Sequence, residues 1–132
     1  QLLGDARLGN ALLCRMGLSK NHDEILEFVR TIPAESLSFK TMALPEYPPL
    51  QLAWFHYHRQ LPDGSFLPTD KCKSATLLLN SESLEIVDYD LHDGFSSVDK
   101  SYVEPYYVLN REQPDGSSVK HVVLPTGFEL IN

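Results

Sequence analysis

The chain has 132 residues, 42% hydrophobic and 22% charged, with a formal net charge of -7 and a pI of about 5.1; this length and mix suit one globular domain over 1–132. The acidic balance and the scatter of its eleven basic residues argue against nucleic acid and against an anionic membrane surface, because phosphate binding needs clustered Lys and Arg. No apolar run reaches the ~20 residues of a spanning helix, the first residues carry no basic signal-peptide region, and Cys14 and Cys72 read as reduced thiols rather than a bridge, so a soluble, intracellular protein is expected.

In chain order, Leu8, Ala11, Leu12 and Met16 fall at helical spacing and predict a first helix over 5–16, which Gly17 can end. A second follows: Asn21 suits an N-cap, Glu24 completes a capping-box pattern, Ile25, Phe28, Val29 and Ile32 form one apolar stripe, and Pro33 stops it. Leu37 to Leu44 alternates as a strand, and Leu50 to His58 is apolar on both faces until its histidines. Further strands are predicted at Ser74–Asn80, Leu84–Leu91, Val103–Asn110 and Val119–Leu124, with Pro105 demoting the start of the fifth to an edge or bulge.

Two stretches repeat each other: Arg59-Gln60-Leu61-Pro62-Asp63-Gly64-Ser65 and Arg111-Glu112-Gln113-Pro114-Asp115-Gly116-Ser117. Pro fixes φ, Asp bonds its own backbone and Gly accepts positive φ, so each Pro-Asp-Gly closes a hairpin. Helices clustered before a meander predict an α+β fold: one or two N-terminal helices packed on a curved antiparallel sheet of about five or six strands, cystatin-like or cone-shaped.

His56 and His58 stand two apart on one strand and share a face. Asp88 and Asp90 repeat that spacing on another, so the four are the candidate catalytic residues, a His acting as general base and an Asp orienting it. If those two strands paired, the set would also suit Zn or non-haem iron; solvated polar strand ends are the stronger expectation, and neither metal nor cofactor is predicted. Trp54, Tyr57, Tyr106 and Tyr107 are the candidate binding residues, able to line a concavity between sheet and helix; core and cross-strand packing is the stronger expectation for Trp54, and Tyr106 and Tyr107, being adjacent, are expected on opposite faces. Nucleophile elbows, P-loops, His-Glu-x-x-His and Cys-x-x-Cys are missing from the sequence.

The stretches Leu37-Ser38-Phe39-Lys40, Leu44-Pro45-Glu46, Leu67-Pro68, Cys72-Lys73-Ser74-Ala75 and Leu84-Glu85-Ile86-Val87-Asp88-Tyr89-Asp90-Leu91 resemble the small N-terminal domains of copper amine oxidases. About half of the chain is covered. Glu46 is followed by Tyr47-Pro48-Pro49 where that family has Lys after Glu-Pro, and the catalytic domain with its Asn-Tyr-Asp/Glu-Tyr motif has no counterpart here. The resemblance implies a cystatin-like module without redox chemistry of its own, in a peroxisomal or cytoplasmic setting, and places no copper on His56 and His58. Two functions are therefore expected in order: a non-catalytic module mediating packing or protein contacts, as an accessory domain of a larger oxidase would, and a stand-alone small-molecule-binding protein or acid/base enzyme of the isomerase, cyclase or dehydratase kind. The corresponding partners are a protein or a small apolar ligand, with a homodimer through an edge strand as a further form.

Overall fold

A computed structural model describes residues 2–57, 61, 63–65 and 71–131. Two helices, α1 (Leu2–Ser19) and α2 (Asp23–Arg30), and a 3-10 turn (Ala34–Ser36) precede eight strands: β1 (Leu37–Ala43), β2 (Leu50–Tyr57), β3 (Ser74–Asn80), β4 (Ile86–His92), β5 (Ser96–Lys100), β6 (Tyr107–Glu112), β7 (Ser118–Leu124) and β8 (Gly127–Leu130). They form two antiparallel four-stranded meanders, β1-β2-β3-β4 and β5-β6-β7-β8. The class is the expected α+β. The single curved sheet of five or six strands is replaced by two sheets, because β5 and β8, two strands beyond the six expected, flank the β6–β7 hairpin and complete a second sheet of four.

Strand alternation explains the layers. On the first sheet, Ala53, Phe55, Ala75, Leu77 and Leu79 point to one face and pack under Leu12, Met16, Ile25 and Val29 of the helices. Leu52, Trp54 and Leu78 point to the other and close a second core with Leu44 and with Tyr107, Leu109 and Val123 of the second sheet. The molecule is thus three layers: helices, first sheet, second sheet. The middle layer is covered on both sides, which is why β3 is buried at every position from Ser74 to Leu79.

Of the stripe predicted for α2, Ile25, Val29 and Ile32 are buried and Phe28 is half-buried, and Leu26, outside the prediction, is buried beside them. The predicted cap is not seen. His22, in the left-handed region at φ 59°, is the N-cap and makes no side-chain cap bond. Only Lys20, Asn21 and His22 join the helices, and Lys20 is left-handed as well, at φ 61°. So tight a connection leaves Asn21 outside the cap position, its N–H donating to Ser19 Oγ at 3.3 Å.

Between β4 and β5 the chain passes from one sheet to the other at Gly94, in the manner of sandwich corners. A Cβ on Gly94 would lie 2.5 Å from His92 Nε2 and 3.0 Å from the Glu112 carbonyl, so the corner has room for glycine alone. Ser74 Oγ donates to the Gly94 carbonyl at 3.0 Å, and the Glu112 N–H donates to the Phe95 carbonyl at 2.9 Å. The repeated turns are alike at the described residues, Gly64 N–H donating to the Leu61 carbonyl at 2.9 Å and Gly116 N–H to the Gln113 carbonyl at 3.0 Å; Pro62 lies outside the described residues. Asp115 Oδ1 accepts from Ser117 N–H (2.9 Å) and Oγ (2.6 Å), and Asp63 Oδ1 does the same from Ser65 at 2.9 and 2.6 Å. Those bonds hold both carboxyls below the usual Asp range.

Candidate functional site

Of the strand candidates from the sequence, both aspartates face the second sheet. Asp90 lies opposite Thr76 and Asp88 opposite Leu78, both on the face turned to the second sheet. Asp90 Oδ2 is 3.3 Å from Arg111 Nε of β6. Asp88 Oδ2 accepts the Phe128 N–H at 2.9 Å and Oδ1 the Tyr89 N–H at 2.8 Å. His56 is half-buried, its Nδ1 2.8 Å from the Tyr57 carbonyl; His58 lies outside the described residues. The pairing of the two strands on which a metal set would depend does not occur. β3 stands between β2 and β4, which sets their backbones about 10 Å apart, and no group of three or more His, Cys, Asp or Glu among the described residues is placed to hold a metal.

Among the described residues, the aromatic candidates do not line one concavity between sheet and helix. Trp54 is 4% exposed and faces the second sheet rather than the helices, with Lys40 Nζ 5.3 Å from its ring centroid. Tyr57 ends β2 half-buried, opposite Leu37. Tyr106 and Tyr107 do not diverge: Tyr106 precedes the first paired residue of β6, so the pleat does not separate them, and both rings meet Tyr47 edge-on, at 6.3 and 5.9 Å. Tyr107 donates to Glu46 Oε1. Burial first, and that bond second, push its pKa up to about 12.

The concavities lie in the helical layer. A groove of about 520 Å³ runs between α1, α2 and β1. Its lining is Leu13, Leu26, Val29, Ile32, Pro33, Ala34 and Leu37, with the exposed Cys14 and one charged residue among those described, Arg30. The apolar stripe of α2 supplies its floor: Leu26, Val29 and Ile32 are each under a tenth exposed.

A second cleft, of about 270 Å³, opens between the α1–α2 connection and the β3–β4 turn. Arg15, Asn21, His22 and Glu85 give it polarity, and Leu12, Met16, Leu84 and Ile86 give it apolar surface. Beside it, Tyr89 OH donates to Glu24 Oε1, which is 3.8 Å from His22 Nδ1, and the His22 and Tyr89 rings meet edge-on at 5.6 Å. The Tyr89 bond holds the Glu24 carboxyl below its usual range and raises Tyr89. Two lining residues from separate segments, His22 at φ 59° and Leu84 at φ 63°, are left-handed without being glycine. For a bulky Leu this costs about 1–3 kcal/mol and persists only where the surroundings enforce it. Nothing in the sequence marks it, since neither position carries the Gly or Asn that betrays such a conformation.

No protein-family model matches the chain, and neither does a curated protein or a solved structure.

Proposed function

We propose that this chain is a non-catalytic α+β module that works by protein contact, with the groove between α1, α2 and β1 as its docking surface. The observation carrying this reading is the groove itself: a concavity of about 520 Å³ whose lining is apolar apart from Arg30 and the Cys14 thiol. Its charge favours a partner segment with apolar anchors and one acidic residue set against Arg30. On its far side Arg30 borders a notch with Lys20, Asp23 and Glu27, so the head of such a segment meets both signs of charge.

The accessory role within a larger oxidase, implied by the resemblance, is one form of this reading; α1 and α2 lying across the first sheet would be its cystatin-like part, with the second sheet as an addition. The alternative of an acid/base enzyme built on His56, His58, Asp88 and Asp90 has less support, since both aspartates are engaged with the second sheet. A homodimer would form at β1, whose outer edge carries no strand among the described residues; Lys40, exposed on that strand, works against such pairing.

The test is peptide selection. A displayed random library is panned on the protein and its hits are measured on the wild type, on Ala34→Trp, which fills the groove from an exposed position, and on Arg30→Glu. Apolar-acidic peptides that lose affinity on both variants support docking. Hits indifferent to Ala34→Trp refute it, and a groove that takes octanol but no peptide assigns a small apolar ligand instead.

A further inference from the structure

We propose that the cleft between the α1–α2 connection and the β3–β4 turn is a binding site for a small zwitterion, specifically a free α-amino acid with an apolar side chain. The cleft's volume of about 270 Å³ lies just below the range of drug-sized pockets and so suits a ligand of few atoms. Its lining carries one cation and one anion from different elements, Arg15 on α1 and Glu85 ahead of β4. Among the described residues no ion pair joins them, so each remains able to meet a charge on a ligand. Arg15 gives one N–H, from Nη1, to the Ser83 carbonyl at 2.8 Å, which ties its guanidinium to the opposite turn. The fork's other donors stay available, and a carboxylate is the acceptor that fits them.

A ligand ammonium would then be met by Glu85, and the side chain by Leu12, Met16, Leu84 and Ile86. Leu12 and Met16 are 1% and 3% exposed and form the packed floor, while the half-buried Leu84 and Ile86 supply most of the accessible apolar surface. His22 stands at the rim, its ring held against Tyr89. The left-handed backbone at His22 and at Leu84 places strain on both lips of one small cavity, the pattern expected of a ligand clamp.

The test uses L-leucine, L-methionine and L-phenylalanine as probes, titrated calorimetrically into the full chain. Two analogues of leucine dissect the charges: 4-methylpentanoate lacks the ammonium and 3-methylbutylamine lacks the carboxylate. At least one amino acid should saturate a single site, with each analogue weaker by about tenfold or more. Arg15→Gln and Glu85→Gln should each weaken the amino acid by a similar factor while leaving the circular dichroism and melting temperature in place. Absence of saturable binding by all three amino acids overturns the proposal. So does an analogue that binds as tightly as leucine, a comparison made on the wild type and independent of how the variants fold.

Discussion

Arg111 on β6 and Asp90 on β4 meet across the space between the two sheets, Nε 3.3 Å from Oδ2, with side chains 28% and 17% exposed. The contact is ionic rather than a well-aligned hydrogen bond, since neither atom has a hydrogen-bond partner. His92 completes the arrangement. Its Nε2 bonds the Glu112 carbonyl at 2.8 Å, so Nε2 carries the hydrogen and Nδ1 accepts from Arg111 Nη2 at 3.3 Å. A residue with the look of an acid/base catalyst is thereby a strut between layers.

The strut should be measurable. Arg111→Leu leaves Asp90 desolvated without a cation and should cost about 1–3 kcal/mol, less than a fully buried pair because both side chains retain some water. Replacing both residues by Leu should recover part of the loss, as apolar substitutes for an interior pair often do. Urea unfolding of the two single variants and the double variant gives the coupling. Single-variant losses below about 0.5 kcal/mol would mean that the pair does not hold the sheets.

Gly127 opens β8 at φ 143°, where a Cβ would lie 2.6 Å from Asp88 Oδ2. That carboxylate accepts the next N–H, from Phe128, so the β4–β8 junction depends on the missing side chain. Gly127→Ala is expected to destabilise by about 1–3 kcal/mol, from strained backbone and from the displaced carboxylate together. Stability unchanged within about 0.5 kcal/mol in chemical denaturation would show that the junction yields freely.

Alkaline pH should weaken the fold through Tyr107. An unfolded tyrosine releases its proton near about 10, whereas in the folded chain burial and Glu46 raise that of Tyr107 to about 12. Between those values the native state holds a proton that the unfolded state has lost, so this contribution is complete below the lower value and disappears as pH rises through the upper one. Tyr107→Phe has nothing to ionise there. Between about pH 9 and about pH 11.5 the wild type should lose more stability than the variant; equal losses would remove Tyr107 from the effect.

Trp54 is the only tryptophan in the chain and is 4% exposed in the core between the sheets. Its emission should be blue-shifted and weakly quenched by acrylamide. On urea addition it should move red with the same midpoint as far-UV circular dichroism, because losing the inter-sheet core exposes both sheets at once. An earlier fluorescence transition would indicate that the second sheet detaches first.

Much of the first sheet can be read from residue patterns alone. The helix α2, the strand β1 and the turn at Pro114-Asp115-Gly116 each follow from local chemistry, and each is found. The second sheet is harder to read. β5 is Ser96-Ser97-Val98-Asp99-Lys100, with one apolar residue to betray its inner face, and β8 has four residues, too short for a period. The helical cleft is hidden for another reason: Glu85 lies far along the chain from Arg15 and His22, and the three carry no shared spacing. His56 and His58 stand two apart in the sequence, yet spacing along one segment says nothing about which strand lies beside it.

The burial of β3 on both faces has a consequence for the protein's behaviour outside its native state. From Ser74 to Asn80 the strand carries no charge, and Leu77-Leu78-Leu79 form an unbroken aliphatic run. A segment of this kind, once freed from β2 and β4, is a template for intermolecular cross-β association. Lys71 and Lys73 immediately before it act as gatekeepers, opposing self-association by like-charge repulsion at the segment's entrance. Replacing Lys71 with Ala, which keeps the Lys73 contacts to Thr31, Asp93 and Phe28, should therefore leave native stability nearly intact while hastening aggregation during refolding, a kinetic hazard that the folded architecture conceals.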